Sequence, residues 1–187
     1  TFTGGSTSNI TFDNTGNTTL PAVSGGLNNL TVNRSGSTIS LAAPLSIAGD
    51  LQINAGTLND NGNQISGNAT GILSVVAGAT LSLGNGTSAT LFPTDYTTAN
   101  ISLASASTVI YTSTSGSGVT ISSAPATYGN LALNGSAIKT FAANTTLTGN
   151  FSNGPGSRPD LGDYTLQIAG TWANSGTITA NAAGATL

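Results

Sequence analysis

The sequence contains no cysteine, no methionine, no histidine and no glutamate, and only three basic residues, Arg34, Lys139 and Arg158. Without cysteine there is no disulfide framework and no thiolate zinc site. That usage is compatible with secretion but does not require it. Without histidine or cysteine there is no Ser-His-Asp or Cys-His arrangement and no imidazole base. Three scattered basic residues leave no electrostatic footprint for nucleic acid or anionic lipid. Charged residues make up 5% of the chain, against roughly 25% in an ordinary globular protein.

Long apolar runs are also missing. A membrane-spanning helix needs about 18 or more apolar residues, and the longest stretches here are of the kind Ile72-Leu73 or Val75-Val76-Ala77. Intrinsic disorder does not fit either. It requires low hydrophobicity with high net charge, whereas 37% of these residues are hydrophobic and the net charge is −3. The chain reads as soluble and folded, with a thin core spread along its length. No signal peptide is visible, so the stretch reads as mature or as a fragment.

What is present is Gly, Ser, Thr, Asn and Ala, broken by short apolar alternations. Glycine and β-branched threonine are scattered throughout, and Asn and Ser favour caps and turns over helix interiors. Helix is therefore nearly excluded. Ile10-Thr11-Phe12, Leu30-Thr31-Val32, Ile39-Ser40-Leu41, Leu51-Gln52-Ile53, Leu81-Ser82-Leu83, Ile101-Ser102-Leu103, Val119-Thr120-Ile121, Leu131-Ala132-Leu133 and Leu166-Gln167-Ile168 each have the period of two expected of a strand. Turn formers separate them, among them Asn61-Gly62-Asn63, Gly84-Asn85-Gly86 and Gly149-Asn150. The stronger beat is about twenty residues, through Leu30, Leu51, Leu73, Leu91, Tyr111, Leu131 and Phe151.

A longer period lies over this one. Leu27–Leu51 returns as Tyr128–Phe151, with Leu30 and Val32 matching Leu131 and Leu133, and Gly49-Asp50-Leu51 matching Gly149-Asn150-Phe151. Asp60, Gly62 and Asn63 parallel Asp160, Gly162 and Asp163, and Ala77–Leu81 is identical to Ala183–Leu187. The chain thus reads as two super-repeats, 1–100 and 101–187, with Phe92–Tyr96 an irregular bulging loop near the junction. Strands this short make a poor sandwich but stack well as rungs. The fold expected is all-β: a single-stranded right-handed parallel β-helix, or solenoid, of about 20 residues per coil and roughly nine coils. Leu187 read on into Thr1 would continue the repeat, so a segment of a longer array, stacking end to end with its own copies or neighbouring repeats, is expected.

Tyr128–Ser136, Thr145–Phe151 and Leu161–Thr179 resemble the repeats of very large secreted surface proteins of Bacteroidetes, including gliding-motility-type adhesins. The resemblance covers most of the chain and is clearest over 109–187. It implies type IX export, display on the cell surface and adhesion. The sorting domain that such proteins carry at the C-terminus is not in this stretch.

Candidate chemistry is sparse. Asp160 and Asp163 are the only close carboxylate pair, the minimum a glycoside hydrolase needs, and they read more simply as a polar turn. Asp60-Asn61-Gly62-Asn63 offers oxygen ligands for calcium without the spacing of a known loop. Trp172 sits in an inward alternation counted from Ile168, with carbohydrate stacking the alternative. Phe12, Tyr111, Tyr128, Phe141, Phe151 and Tyr164 read mostly as core. Thr-x-Thr pairs at Thr1/Thr3, Thr112/Thr114, Thr146/Thr148 and Thr177/Thr179 raise ice binding, but they are not one coil apart. No catalytic, cofactor-binding or metal-ligating residue is assigned. The function expected is a non-catalytic structural or adhesive segment of a secreted surface fibre, with surface glycans as a further partner and no nucleic acid or membrane insertion. A carbohydrate-binding or polysaccharide-cleaving β-helix is the alternative, and an ice-binding solenoid a remote one.

Overall fold

The structure is a computed structural model and describes residues 1–114 and 118–180. It is a parallel β-solenoid of about eight turns, with successive rungs roughly 21 residues apart. Only one helical turn occurs among the described residues, the 3-10 segment Thr98–Asn100.

One ladder runs almost the whole length. Thr18–Leu20 pairs with the second half of Asn29–Leu41, which pairs with the second half of Leu51–Asn59. The series continues through Thr80–Leu83, Thr108–Thr112, Asn130–Asn134, Phe151–Asn153 and Trp172–Asn174, all parallel. Its inward column is Ile39, Leu58, Leu81, Val109, Leu131 and Phe151, every one of them buried. Each strand needs only one or two such residues, because the rungs above and below close off its apolar face. A fully buried Leu or Ile is worth roughly 1.5–3 kcal/mol. A core this narrow is therefore held by many equal small contributions.

A companion ladder, the first met along each coil where the long one is the second, covers the early coils only: Asn9–Phe12, the first half of Asn29–Leu41, the first half of Leu51–Asn59, Leu73–Val75 and Ile101–Leu103. The long strands Asn29–Leu41 and Leu51–Asn59 belong to both ladders, with register shifts between Val32 and Thr38 marking the corner. A third face carries Leu45–Ser46, Ile65–Ser66 and Thr94, then Val119–Ile121, Ile138–Phe141 and Arg158–Asp160.

The twenty-residue beat holds through Leu30, Leu51 and Leu73, and again from Leu131 to Phe151. It fails at Leu91, which is 51% exposed. The partner of Leu73 is Ile101, because residues 84–97 leave the ladder and lengthen that coil to 28 residues. This coil is also why there are about eight turns where a steady twenty-residue period gives nine. The excursion is irregular but not idle, since Phe92 and Tyr96 are buried in the core and Thr94 bridges to Ser66.

The matched segments of the sequence do not occupy matching faces. Leu30–Val32 stands in the first ladder, whereas Leu131–Leu133 stacks on Val109–Tyr111 in the second. Leu41 pairs with Leu20 in the second ladder, and its counterpart Phe141 pairs with Ile121 on the third face. The later stretch is thus turned by one face about the axis relative to the earlier one. Ala183–Leu187 lies outside the described residues.

Candidate functional site

Polar side chains bond coil to coil along one corner. Asn9 Oδ1 accepts from the Asn29 backbone N–H at 3.1 Å and from the Asn28 amide at 3.0 Å. Asn29 Oδ1 accepts from the Asp50 N–H at 2.7 Å, and Asp50 Oδ1 from the Ile72 N–H at 2.9 Å. In the later coils Asn130 Oδ1 accepts from the Asn150 N–H at 2.8 Å, and Asn150 Oδ1 from both the N–H and the hydroxyl of Thr171. Three of these five acceptors, on Asn29, Asn130 and Asn150, lie where a side chain one residue before the donor would go. A Cβ added to Gly49, Gly149 or Gly170 would overlap Asn29, Asn130 or Asn150 Oδ1. The recurring Gly-Asp and Gly-Asn pairs therefore have a cause: the glycine makes room for the amide of the coil below.

Asp60 is fully buried. Its Oδ1 accepts from the Gly62 N–H at 2.9 Å and the Gly84 N–H at 2.7 Å, and its Oδ2 accepts from the Thr90 hydroxyl. Burial raises its pKa above the usual carboxylate range, and these three bonds oppose that shift. The carboxylate ties two points of the 84–97 excursion, Gly84 and Thr90, to the coil beneath. Asp160 makes the same local turn, accepting from the Gly162 N–H at 3.1 Å, but is only half-buried, and Asp163 is exposed. Among the described residues no group of three or more His, Cys, Asp or Glu is placed to hold a metal ion.

Lys139 replaces an aliphatic residue inside the core, as the counterpart of Ile39. Its ammonium donates to the carbonyls of Gly135 at 2.5 Å, Ala137 at 3.0 Å and Ser113 at 3.4 Å. Burial lowers its pKa to about 8. The repeat sets Lys139 at the position of Ile39, but the carbonyl cage was not read from the sequence, because a lysine in a strand normally faces solvent.

The third face has a break. Among the described residues no backbone hydrogen bond joins 91–96 to 119–124, although neighbouring rungs on either side are paired. Two core tyrosines serve the backbone there instead. Ser122 N–H donates to Tyr111 Oη at 3.3 Å, and Tyr128 Oη donates to the Ser122 carbonyl at 2.8 Å. Phe92 meets Tyr128 edge-on with ring centres 6.4 Å apart. Burial pushes the Tyr111 hydroxyl up to about 12, and Tyr128 also well upward. Along the break lie a cleft of about 340 Å³, bounded by Leu91, Phe92, Tyr96, Thr120, Ser122 and Ala124, and a second of about 440 Å³ reaching Pro44, Thr90 and Val119. On the same face Leu91 and Ile138 are exposed aliphatics. Asp95 and Arg158 are exposed charges.

The aromatic expectations need correction at two residues. Tyr111, Tyr128, Phe141 and Phe151 are core and Phe12 is half-buried under the Arg34 guanidinium, but Tyr164 is exposed. Trp172 continues the inward column, stacked on Phe151 at 4.8 Å, yet it is 41% exposed because it stands on the last rung among the described residues. The Thr pairs do not stand on one another: Thr3 neighbours Ser24, Thr112 neighbours Asn134, Thr146 neighbours Gln167 and Thr179 neighbours Asp160.

Comparison of the chain with protein-family models, with curated proteins and with solved structures gives no match. What the geometry defines is a parallel β-solenoid repeat protein whose polar groups are engaged mainly in holding coils together.

Proposed function

We propose that this chain is a non-catalytic structural segment of a secreted bacterial surface fibre, a stalk that carries or spaces adhesive parts and continues end to end into neighbouring repeats. The observation that carries this reading is the second ladder, continuous from Thr18 to Trp172. Pulling along such a rod loads backbone hydrogen bonds and the Asn caps beside them. The resemblance to Bacteroidetes surface repeats supports display outside the cell. The carboxylates support the non-catalytic part: the one buried aspartate is fully bonded within the chain, and the Asp160–Asp163 pair keeps to a turn. Antibodies against the chain should label intact cells of the producing bacterium as strongly as opened ones. Labelling that appears only after the cells are opened would sink the surface reading.

A second reading, carbohydrate binding, is favoured by one observation, the exposed indole of Trp172 on Phe151. Retention on a glycan array that Trp172→Ala abolishes would move the conclusion there.

A further inference from the structure

We propose that the break in the third face is a slot for an extended peptide of a partner protein, paired main chain to main chain with Thr120. The proposal goes beyond the stalk reading and does not depend on it.

The directions of the main-chain groups carry it. In a parallel ladder, a residue turns its N–H and C=O to one neighbouring strand and the next residue turns its own to the other. Ala142 N–H donates to the Ile121 carbonyl at 3.3 Å, with Ile121 level with Phe141. Ile121 therefore faces the later rung, and Thr120 and Ser122 face the break. The Ser122 groups are met by Tyr111 and Tyr128. Thr120 lines both clefts, and among the described residues its N–H and C=O have no partner in the chain. The opposite wall does not supply one. Thr94 is turned away, its N–H donating to the Ile65 carbonyl at 3.1 Å and its carbonyl accepting from the Gly67 N–H at 2.9 Å. Leu91 N–H donates to Gln64 Oε1 at 3.0 Å. Pro93 has no N–H to give, and Asp95 leaves the extended region at φ 68°. An open donor and acceptor on a strand edge are what an added strand completes.

The walls define the occupant. The two clefts share Leu91 and Thr120 and together follow the later rung from Gly118 to Ala124. Six steps of about 3.3 Å make roughly 20 Å, the length of a strand of about six residues. Leu91, Phe92 and Val119 supply apolar wall, and Asp95 is the only charged residue along either cleft. Among the described residues the Asp95 carboxylate accepts only from the neighbouring Thr94 hydroxyl, at 2.8 Å. The peptide that fits is extended, small or apolar at alternate positions, and carries one Lys or Arg at the end that reaches Asp95. The main-chain pair on Thr120, not the apolar lining, selects a peptide over a small apolar molecule.

Panning a phage-displayed library of random octapeptides on the intact chain tests this. Enriched peptides should alternate apolar with polar residues and carry Lys or Arg near one end. Synthetic copies should bind wild type in fluorescence anisotropy. Thr120→Pro removes an N–H that no group in the chain uses, a change that a strand edge tolerates. It should weaken binding about tenfold or more and leave the melting temperature unchanged. Asp95→Asn, which suits the left-handed backbone there, should weaken the basic peptides and not their neutral versions. N-methylation along the peptide should abolish binding at alternate residues and spare those between, a readout that needs no protein variant. No enriched sequence, binding that a folded Thr120→Pro retains, or indifference to N-methylation would each overturn the proposal. Self-association in sedimentation that Thr120→Pro abolishes would put a second copy in the slot and overturn the peptide assignment. Each of these failures leaves the stalk reading standing.

Discussion

At the residue scale the Gly-Asn pair is the smallest unit that explains both a sequence pattern and a packing fact. Gly149→Ala forces a methyl into the space held by Asn130 Oδ1, an overpacking cost of roughly 1–3 kcal/mol. Gly5→Ala meets nothing within 4 Å and should fall within about 0.5 kcal/mol of wild type. Urea unfolding of the two variants checks the contrast, and equal midpoints would mean the glycine has another role. Asp60 gives a second test. Its pKa is raised in the folded state, so its contribution is fully present below the ordinary carboxylate pKa and is lost as pH rises through the folded value. Stability measured against pH should fall across that window, and Asp60→Asn should flatten the slope while costing no more than about 1 kcal/mol. Asp60→Ala leaves the Gly62 and Gly84 N–H groups and the Thr90 hydroxyl without their acceptor, at roughly 1–3 kcal/mol for each group left buried and unpaired.

At the scale of elements, the strands were legible because alternation survives in three-residue pieces. Leu30-Thr31-Val32 and Leu131-Ala132-Leu133 show it without help from their neighbours, and in both the outer two residues are buried and the middle one half-buried. The face on which each strand sits was not legible. That depends on how many residues each corner consumes, and the 28-residue coil containing 84–97 changes the count with no signal beyond Phe92–Tyr96. Lys139 was half legible: the repeat sets it at the position of the inward Ile39, but only the pairing of Ile138–Phe141 with Val119–Ile121 and the carbonyls around it show what holds its ammonium. Trp172 was read inward correctly by alternation, but exposure at the last described rung is a property of the stack, not of the strand. The stack makes its own prediction. Phe151→Ala removes a ring buried between neighbours and should cost about 3–5 kcal/mol, whereas Trp172→Ala removes a half-exposed ring from the column and should cost clearly less. Thermal melts would rank them, and the reverse order would contradict the column as described.

At the scale of the whole molecule, stability is distributed along the axis and owes little to charge. Charged residues are 5% of the chain, and surface ion pairs are screened over about 10 Å at 0.1 M salt. The melting temperature should therefore move by only a degree or two between low and high salt, and a large shift in differential scanning calorimetry would show electrostatics that the geometry lacks. The turn of one face between the matched segments also belongs to this scale. It presents the same sequence features in two directions around the rod. The central claim is the ladder itself, and the absence of native cysteine makes it directly measurable. Ser40, Asn59, Ser82, Ile110, Ala132 and Ser152 occupy one outward column on successive rungs. Spin labels on cysteines placed at Ser40, Ser82 and Ser152, two at a time, should report spacings that grow by about 4.8 Å per rung. The Ser82–Ser152 pair should then lie near 14 Å and the Ser40–Ser152 pair near 24 Å, before allowance for the label tethers, by that same spacing. Distances that do not increase with rung number, as opposed antiparallel layers would give, would contradict the solenoid and everything built on it.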